Sequence, residues 1–187
     1  MTQLFSSTKF TYEDYLLFPD DGKRHELIDG EHFVTSAPIT KHQRISGNLF
    51  LSLGTYIQKR TCGQLFAAPT DVVLSNLDVV QPDLVFLSAA RASFVTEKNI
   101  QGSPDLVVEI LSESSRKTDE IIKRKLYERH QIPEYWIIDP ELETVKIYQL
   151  IEQSYTRIAE LSIESREETL TSPLFPDWRL PLHVLFG

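Results

Sequence analysis

The chain contains two short apolar runs, each with a carboxylate inside it: VVQPDLVFL at residues 79–87 and PDLVVEIL at residues 104–111. Runs of this length and composition predict buried β-strands. A charge inside such a run costs free energy unless it is paired or bound to a metal ion. Asp83 and Glu109 therefore need a partner, and we favour a shared divalent cation with Lys123 nearby.

The composition is that of an ordinary globular protein, with 187 residues that are 41% hydrophobic and 25% charged. This length predicts a single domain over residues 1–187. No run approaches the roughly 20 apolar residues of a membrane-spanning helix, and residues 1–5 lack the pattern of a signal peptide. The single cysteine, Cys62, excludes an internal disulfide and a thiolate zinc cluster. We therefore expect a cytoplasmic protein that does not bind membranes.

Helical and strand-like patterns are interleaved along the chain, which predicts an α/β or mixed α+β fold. Thr11 and Thr40 are predicted as N-caps, and Asp29-Gly30 predicts a hairpin turn. Helices are predicted over residues 11–17, 40–59, 117–130 and 182–186, and further strands over residues 25–28, 32–34, 64–68, 71–74, 134–139, 144–148, 157–161 and 168–170.

The spacing of the acids decides which of them can share an ion. Asp105 and Glu109 lie roughly 13 Å apart along one strand, whereas neighbouring strands are only about 5 Å apart. Asp83 and Glu109 can therefore meet, and Asp105 is interpreted as a strand-start residue that binds backbone amides. Two carboxylates with a backbone carbonyl, assigned to Ile110, and waters suit Mg²⁺ or Mn²⁺, which prefer hard oxygen ligands.

The helix predicted after Glu109 carries the cationic group of the site. Asp119, Lys123 and Tyr127 are spaced four residues apart and lie along one side of it. Lys123 could direct its ammonium at a metal-bound water or a phosphate oxygen, as phosphodiester hydrolysis requires. The alternative is an ordinary Asp119–Lys123 pair worth about 0.3–0.5 kcal/mol, and the spacing leaves both interpretations open.

The net charge of −8 argues against a protein that coats nucleic acid non-specifically. Residues 41–60 nevertheless contain four basic residues and no carboxylate: Lys41, Arg44, Lys59 and Arg60. This segment is either a solvated helix face or part of a nucleic-acid contact.

Further motifs follow one another in a specific order: ELIDGE (26–31), His42, PDLV (82–85), PDLVVEILS (104–112), Asp119 with Lys123 and Tyr127, PEYWIID (133–139) and SPLFP (172–176). Together they span nearly the whole chain. The ordered set resembles the Uma2 family of endonucleases, which belongs to the PD-(D/E)XK, or restriction-endonuclease-like, superfamily.

The resemblance implies a restriction-endonuclease-like core, with a mixed central β-sheet flanked by helices. It also implies a Mg²⁺- or Mn²⁺-dependent endonuclease that acts on nucleic acid, with DNA as the expected substrate. By position, Asp83 is the aspartate of the motif and Glu109 its second acid. The motif would have a lysine where this chain has Leu111. The family pattern moves this lysine into the next helix, which makes Lys123 the candidate, with Lys117 and Lys125 as substitutes.

Two more residues are candidates for the same site. Glu26 precedes the hairpin turn, and the superfamily often has an early acidic residue near the metal; its alternative is a salt bridge to Arg24 or Lys23. His42 begins the first long helix, where it could contact a scissile phosphate or the metal and carry a proton. Its alternative is a purely structural role.

A catalytically inactive interaction module on the same fold is the second hypothesis, because fold does not determine function. The acidic net charge and the displaced lysine favour the module, whereas Asp83, Glu109 and Lys123 favour the enzyme. A homodimer would supply the two sites that duplex cleavage needs, although no sequence feature requires one. The choice between DNA and RNA stays open.

Overall fold

The computed structural model describes residues 9–35, 38–165 and 168–187, so the prediction about residues 1–5 lies outside the described residues. The helices are α1 (Tyr12–Tyr15), α2 (Thr40–Arg60), α3 (Arg124–Arg129) and α4 (Leu182–Phe186), with a 3₁₀ helix at Ala89–Phe94 and a π-helical segment at Thr118–Lys123. The strands are β1 (Arg24–Ile28), β2 (Glu31–Thr35), β3 (Gly63–Ala67), β4 (Val72–Ser75), β5 (Asp78–Val80), β6 (Leu84–Ser88), β7 (Ile100–Gln101), β8 (Leu106–Ile110), β9 (Glu134–Asp139), β10 (Thr144–Ile151), β11 (Ser154–Ser162), β12 (Thr169–Leu170) and β13 (Leu180–Pro181).

A six-stranded mixed sheet in the order β11-β10-β9-β8-β6-β3 forms the centre of the structure. β8 and β9 are parallel, and the other neighbours are antiparallel. One face packs against α2 and α4. The other face packs against α3 and a five-stranded sheet in the order β2-β1-β5-β4-β7. This architecture confirms the predicted α/β fold with a mixed central sheet and flanking helices.

The run at residues 79–87 is two strands, not the single strand predicted. It divides at Gln81 and Pro82 into β5, in the five-stranded sheet, and β6, in the central sheet. Pro82 has no N–H to contribute to a sheet, and the N–H of Gln81 donates to the Glu26 carboxylate instead, at 2.8 Å. Asp83 therefore lies immediately before β6, where the chain passes from one sheet to the other.

Helix α2 begins at Thr40 as predicted, but its N-cap is Ile39. The prediction of Thr40 as the cap was wrong, because Thr40 already lies inside the helix and Ile39 provides the extended residue before it. The capping box of α1, between Thr11 and Asp14, is confirmed. Among the described residues, no helix combines the length and the apolar character needed to cross a bilayer.

The predicted helix over residues 117–130 is present in two parts, the π-helical segment and then α3. A π-helical segment inside a helix often marks a functional site. Here it carries Asp119 and Lys123, and both side chains are buried.

The β1–β2 hairpin turns at Asp29 and Gly30, which have φ angles of 54° and 73°. Positive φ at both central residues is typical of the tight turn that matches the twist of paired strands. Alternate residues of a strand lie on the same face, so β1 presents Arg24 and Glu26 on one side.

Candidate functional site

Asp83 and Glu109 come from adjacent segments of the central sheet and lie on the same face. Leu84 pairs with Val108 in the antiparallel β6–β8 register, and extending this register by one residue places Asp83 opposite Glu109. Opposed residues of an antiparallel pair share a face. Each of the two residues is only 3% exposed, so both acids are buried.

Three donors hold the Asp83 carboxylate. Arg24 Nη1 donates to Oδ1 at 2.6 Å, His42 Nε2 to Oδ2 at 3.1 Å, and the Ile110 N–H to Oδ2 at 2.8 Å. Burial opposes ionisation, but His42 and the Arg24 guanidinium hold the pKa of Asp83 below its ordinary value. Ile110 thus contacts the site through its amide, and the metal-binding role of its carbonyl stays a prediction.

Lys123 lies at the centre of three other carboxylates. Its Nζ is 2.8 Å from Glu26 Oε1, 3.0 Å from Glu109 Oε1 and 3.5 Å from Asp119 Oδ1. The Tyr127 hydroxyl also donates to Glu109 Oε1, at 2.7 Å. Lys123 and Tyr127 thus both bind Glu109 of β8, and Lys123 also binds Glu26 of β1.

The cluster has more negative than positive groups. When all four acids are ionised and His42 is neutral, Arg24 and Lys123 leave two negative charges without a counterion. Burial raises the pKa of Glu109 well above its ordinary value although Lys123 opposes the shift. Burial likewise raises the pKa of Asp119 to about 6. The acids raise the pKa of Lys123 despite its burial, so this amine stays protonated.

These side chains line a cavity of about 830 Å³ between the central sheet, the π-helical segment and the start of α2. Three buried polar atoms of lining residues have no hydrogen-bond partner among the described residues: His42 Nδ1, Gln81 Oε1 and Asp119 Oδ1. Asp119 Oδ1 does form the ion pair with Lys123. A buried polar atom without a hydrogen bond costs free energy. A ligand that formed a hydrogen bond with one of these atoms would recover part of that cost.

All five candidate residues predicted as catalytic lie at this cavity: Glu26, His42, Asp83, Glu109 and Lys123. The substitute lysines, Lys117 and Lys125, are exposed and are not among the described residues of the lining.

The structural alternative for Glu26 was wrong in its partners, because Arg24 pairs with Asp83 and Lys23 with Asp21. Asp105 accepts the N–H of Ser88 at 2.7 Å, which confirms its interpretation as an amide-binding residue.

The sequence reasoning missed Arg24 as a member of the site. It considered Arg24 only as a partner of Glu26, although residues two apart on a strand share a face. That spacing was the available signal. For Gln81, whose backbone N–H binds Glu26, the sequence offered no comparable signal.

The donor chemistry of the cluster fits a hard divalent cation. Asp83, Glu109 and Asp119 offer carboxylate oxygens, which Mg²⁺ and Mn²⁺ prefer. When all four acids are ionised, the surplus of two negative charges matches the charge of such an ion. Within the described ranges, no three His, Cys, Asp or Glu side chains form a ready-made metal-binding group. Arg24 and Lys123 compensate the acids in this arrangement, so a metal ion would compete with them.

The fold and the family together indicate a nuclease of the restriction-endonuclease-like class. The sequence model of the Uma2 family, described as putative restriction endonuclease, matches residues 12–183. This chain belongs to the Uma2 family, and the resemblance inferred from its motifs is confirmed.

A solved structure with the same fold is that of a putative nuclease belonging to DUF820 from Anabaena variabilis ATCC 29413. The similarity covers 95% of this chain and 97% of that chain, with a TM-score of 0.79 and 19% sequence identity. No curated protein matches the chain.

Proposed function

We propose that this protein is a Mg²⁺- or Mn²⁺-dependent endonuclease that hydrolyses phosphodiester bonds in DNA. One observation carries the proposal: Glu26, Asp83, Glu109 and Asp119 converge with Lys123 at the base of one cavity. Burying four carboxylates together is costly. Binding of a divalent cation and a phosphate would explain why the protein keeps four carboxylates buried together.

Asp83, Glu109 and Asp119 would hold the cation, with the Ile110 carbonyl as a further oxygen ligand. When bound, the cation lowers the pKa of a coordinated water and offsets negative charge on the phosphate. Lys123 keeps its proton because carboxylates surround it. It therefore acts as a positive charge that orients the phosphate, and Glu26 positions it.

His42 is suited to proton transfer. Its Nε2 is held by Asp83, which fixes the ring, and its Nδ1 has no partner among the described residues. With the ring neutral and its proton on Nε2, Nδ1 carries a lone pair and can accept a proton from the attacking water, as a general base within hydrogen-bond reach would.

The proposal is tested by thermal melting with and without Mn²⁺, together with nicking of circular DNA in its single-stranded form and in its supercoiled duplex form. A metal at 100-fold excess over its Kd stabilises the folded protein by about 2.7 kcal/mol. We expect this stabilisation and the nicking to be lost in Asp83→Asn and Glu109→Gln. The matched control is Asp105→Asn, which changes a buried carboxylate at the start of β8 that binds Ser88 and Arg91; both properties should survive there.

The lysine assignment has its own test. Lys123→Met should abolish nicking, whereas Lys117→Met and Lys125→Met should leave it within about twofold, because surface substitutions away from the site change little. Nicking that depends on Lys117 or Lys125 instead would overturn the assignment.

The second candidate is a non-catalytic interaction module. It is favoured by one observation, namely that Arg24 and Lys123 already compensate Asp83 and Glu109. The absence of a Mn²⁺-induced shift together with the absence of nicking would support it. We also propose that the protein is cytoplasmic. A homodimer is needed only if both strands of a duplex are cut together, and sedimentation would detect it.

A further inference from the structure

We infer that the strand cut at this site is single-stranded DNA and not a continuous duplex. The inference rests on the proposed function and names its substrate class. Three features of the cavity carry it: its depth, the charge of its lining and the apolar character of one part of its rim.

The candidate catalytic groups lie deep in the cavity. Asp83 and Glu109 are each 3% exposed, Asp119 is 2% and Lys123 is 4% exposed. A scissile phosphate must therefore enter the cavity of about 830 Å³ to reach them. Base pairing holds the phosphates of a duplex on the outside of a stiff rod, whereas an unpaired strand bends into a pocket without the cost of unstacking and unpairing.

The lining is too acidic for a duplex backbone. Of the described residues that line the cavity, six are carboxylates and three are lysine or arginine: Glu26, Asp83, Glu109, Glu113, Asp119 and Glu141 against Arg24, Lys41 and Lys123. Each of these cations already has an acidic partner; Lys41, for example, pairs with Glu143 at 3.0 Å. Duplex DNA carries one charge per about 1.7 Å of axis, against about 3.4 Å for one strand. A single strand therefore halves the repulsion at the mouth.

One part of the rim is apolar. We call Phe33, Val34, Pro38 and Ile39 the apolar lip; all four line the cavity, and Val34 and Ile39 are 50% and 69% exposed. In a duplex the faces of the bases are stacked inside, so the lip would meet sugars and phosphates. Unpaired bases expose apolar faces, and contacts with these faces are a general means of binding single strands.

The experiment compares an end-labelled oligonucleotide as a single strand and as a blunt duplex of the same sequence, with Mn²⁺. We expect cleavage of the single strand to be at least about tenfold faster, since unpairing a duplex base costs a few kcal/mol. Anisotropy titration of both forms in EDTA gives a second readout, which does not require catalysis, and we expect tighter binding of the single strand.

A matched pair of variants tests the lip. Ile39→Ser removes the apolar contact, and serine is a favourable residue at the N-cap position that Ile39 occupies. We expect KM for the single strand to rise about fivefold, the lower end of what one base contact contributes, with the Mn²⁺-induced shift unchanged. The control is Leu51→Ser on the same helix, where the side chain is 71% exposed and is not among the described residues lining this cavity; KM should stay constant.

The outcomes separate the inference from the proposed function. Mn²⁺-dependent cleavage of the duplex at an equal or higher rate overturns the inference and leaves the nuclease intact. Preferential binding of the single strand without any cleavage or Mn²⁺-induced shift overturns the nuclease and, with it, the inference about the strand that is cut; it leaves a module that binds single strands. If neither form is cut and neither is preferred in binding, both ideas are wrong.

Discussion

Two buried tyrosines next to the cavity differ in the charge of the group that they bind. The Tyr127 hydroxyl donates to the Glu109 carboxylate at 2.7 Å, and the Tyr135 hydroxyl donates to the Asp119 carbonyl at 3.1 Å. Both rings are fully buried. Hydrogen bonds to charged groups contribute about 1.5–3 kcal/mol, against about 0.5–1.5 kcal/mol for neutral pairs.

We therefore predict that Tyr127→Phe lowers the free energy of unfolding by more than Tyr135→Phe does. Urea denaturation of the two variants at increasing pH measures the difference, which should grow as Glu109, whose pKa burial raises, becomes ionised. Equal losses at every pH would mean that another group replaces the tyrosine hydroxyl.

The pKa of the Asp78 carboxyl determines how we expect the unfolding free energy to change in acid. Burial alone would raise its pKa, but hydrogen bonds from His130, the Asp29 N–H and Ser75, together with the charge of Arg129, hold the pKa of Asp78 far below its ordinary value. A carboxyl with a depressed pKa in the folded state stabilises the protein above its unfolded pKa of about 3.9, and this contribution is lost as the pH falls further.

We expect the unfolding free energy of the native protein to fall steeply below about pH 4, and Asp78→Asn to flatten that fall while lowering stability at pH 7. Urea unfolding between pH 7 and pH 3 gives both slopes. The exposed Asp177→Asn, which changes a carboxylate paired with the surface residue Arg60, should leave the curve unchanged. An identical acid slope in Asp78→Asn would contradict the role of this carboxylate.

At the level of single residues, the sequence was a good guide to the acids and a poorer one to their counterions. Asp83 and Glu109 stood out because a carboxylate inside an apolar run needs a physical reason. Arg24 did not stand out, because an arginine at the beginning of a strand is ordinary on a protein surface. Its contact with Asp83 joins residues 59 positions apart, and only the packing of the two sheets creates it.

Among the elements, the β1–β2 hairpin depends on Gly30. Gly30 has φ +73°, and a Cβ there would lie 2.6 Å from Lys9 Cβ and 3.0 Å from the Phe10 carbonyl oxygen. Gly22 has nearly the same φ, +75°, and no atom within 4 Å of the corresponding position. The two glycines therefore share the backbone strain and differ in the space around them.

We predict that Gly22→Ala costs about 1–2 kcal/mol, the usual cost of a left-handed residue with a side chain. Gly30→Ala should cost at least about 1 kcal/mol more, because it also overpacks the contact with the segment before α1. Thermal or urea unfolding of the two variants measures the difference. Equal costs would show that the N-terminal segment moves aside freely.

Elements with a strong local signal were predicted well from the sequence. The apolar periodicity of α2 and the composition of β9 gave bounds within a residue of the observed ones. The errors occurred where the tertiary structure decides, as at Gln81 and Pro82, where one apolar run serves two sheets. The π-helical segment and the pairing of β12 with β13 also have no local pattern that distinguishes them from ordinary helix and loop.

On the scale of the whole molecule, ion pairs of the site connect the two large sheets. Arg24 of the five-stranded sheet binds Asp83, which immediately precedes strand β6 of the central sheet. Glu26 of the same sheet binds Lys123, which in turn binds Glu109 of the central sheet. Because these pairs are buried, breaking either one leaves an uncompensated charge, which is strongly destabilising. The sheets should therefore lose their structure together.

We predict coincident urea-unfolding transitions by far-UV circular dichroism, which reports on both sheets, and by tryptophan fluorescence, because Trp136 and Trp178 lie in the core between α2 and the central sheet. Coincidence is the test of a single cooperative unit. Two separate transitions would contradict the prediction that residues 1–187 form one domain.

The acidic lining of the cavity also has a consequence for turnover. An intact phosphodiester carries one negative charge, but the terminal monophosphate left after hydrolysis carries about 1.5–2 at pH 7. Six carboxylates face three cations in the lining, an excess that one divalent cation does not fully offset, so the lining would repel the product more strongly than the substrate. Under the proposed function, the charge imbalance that restricts entry would therefore also favour release of the cut end.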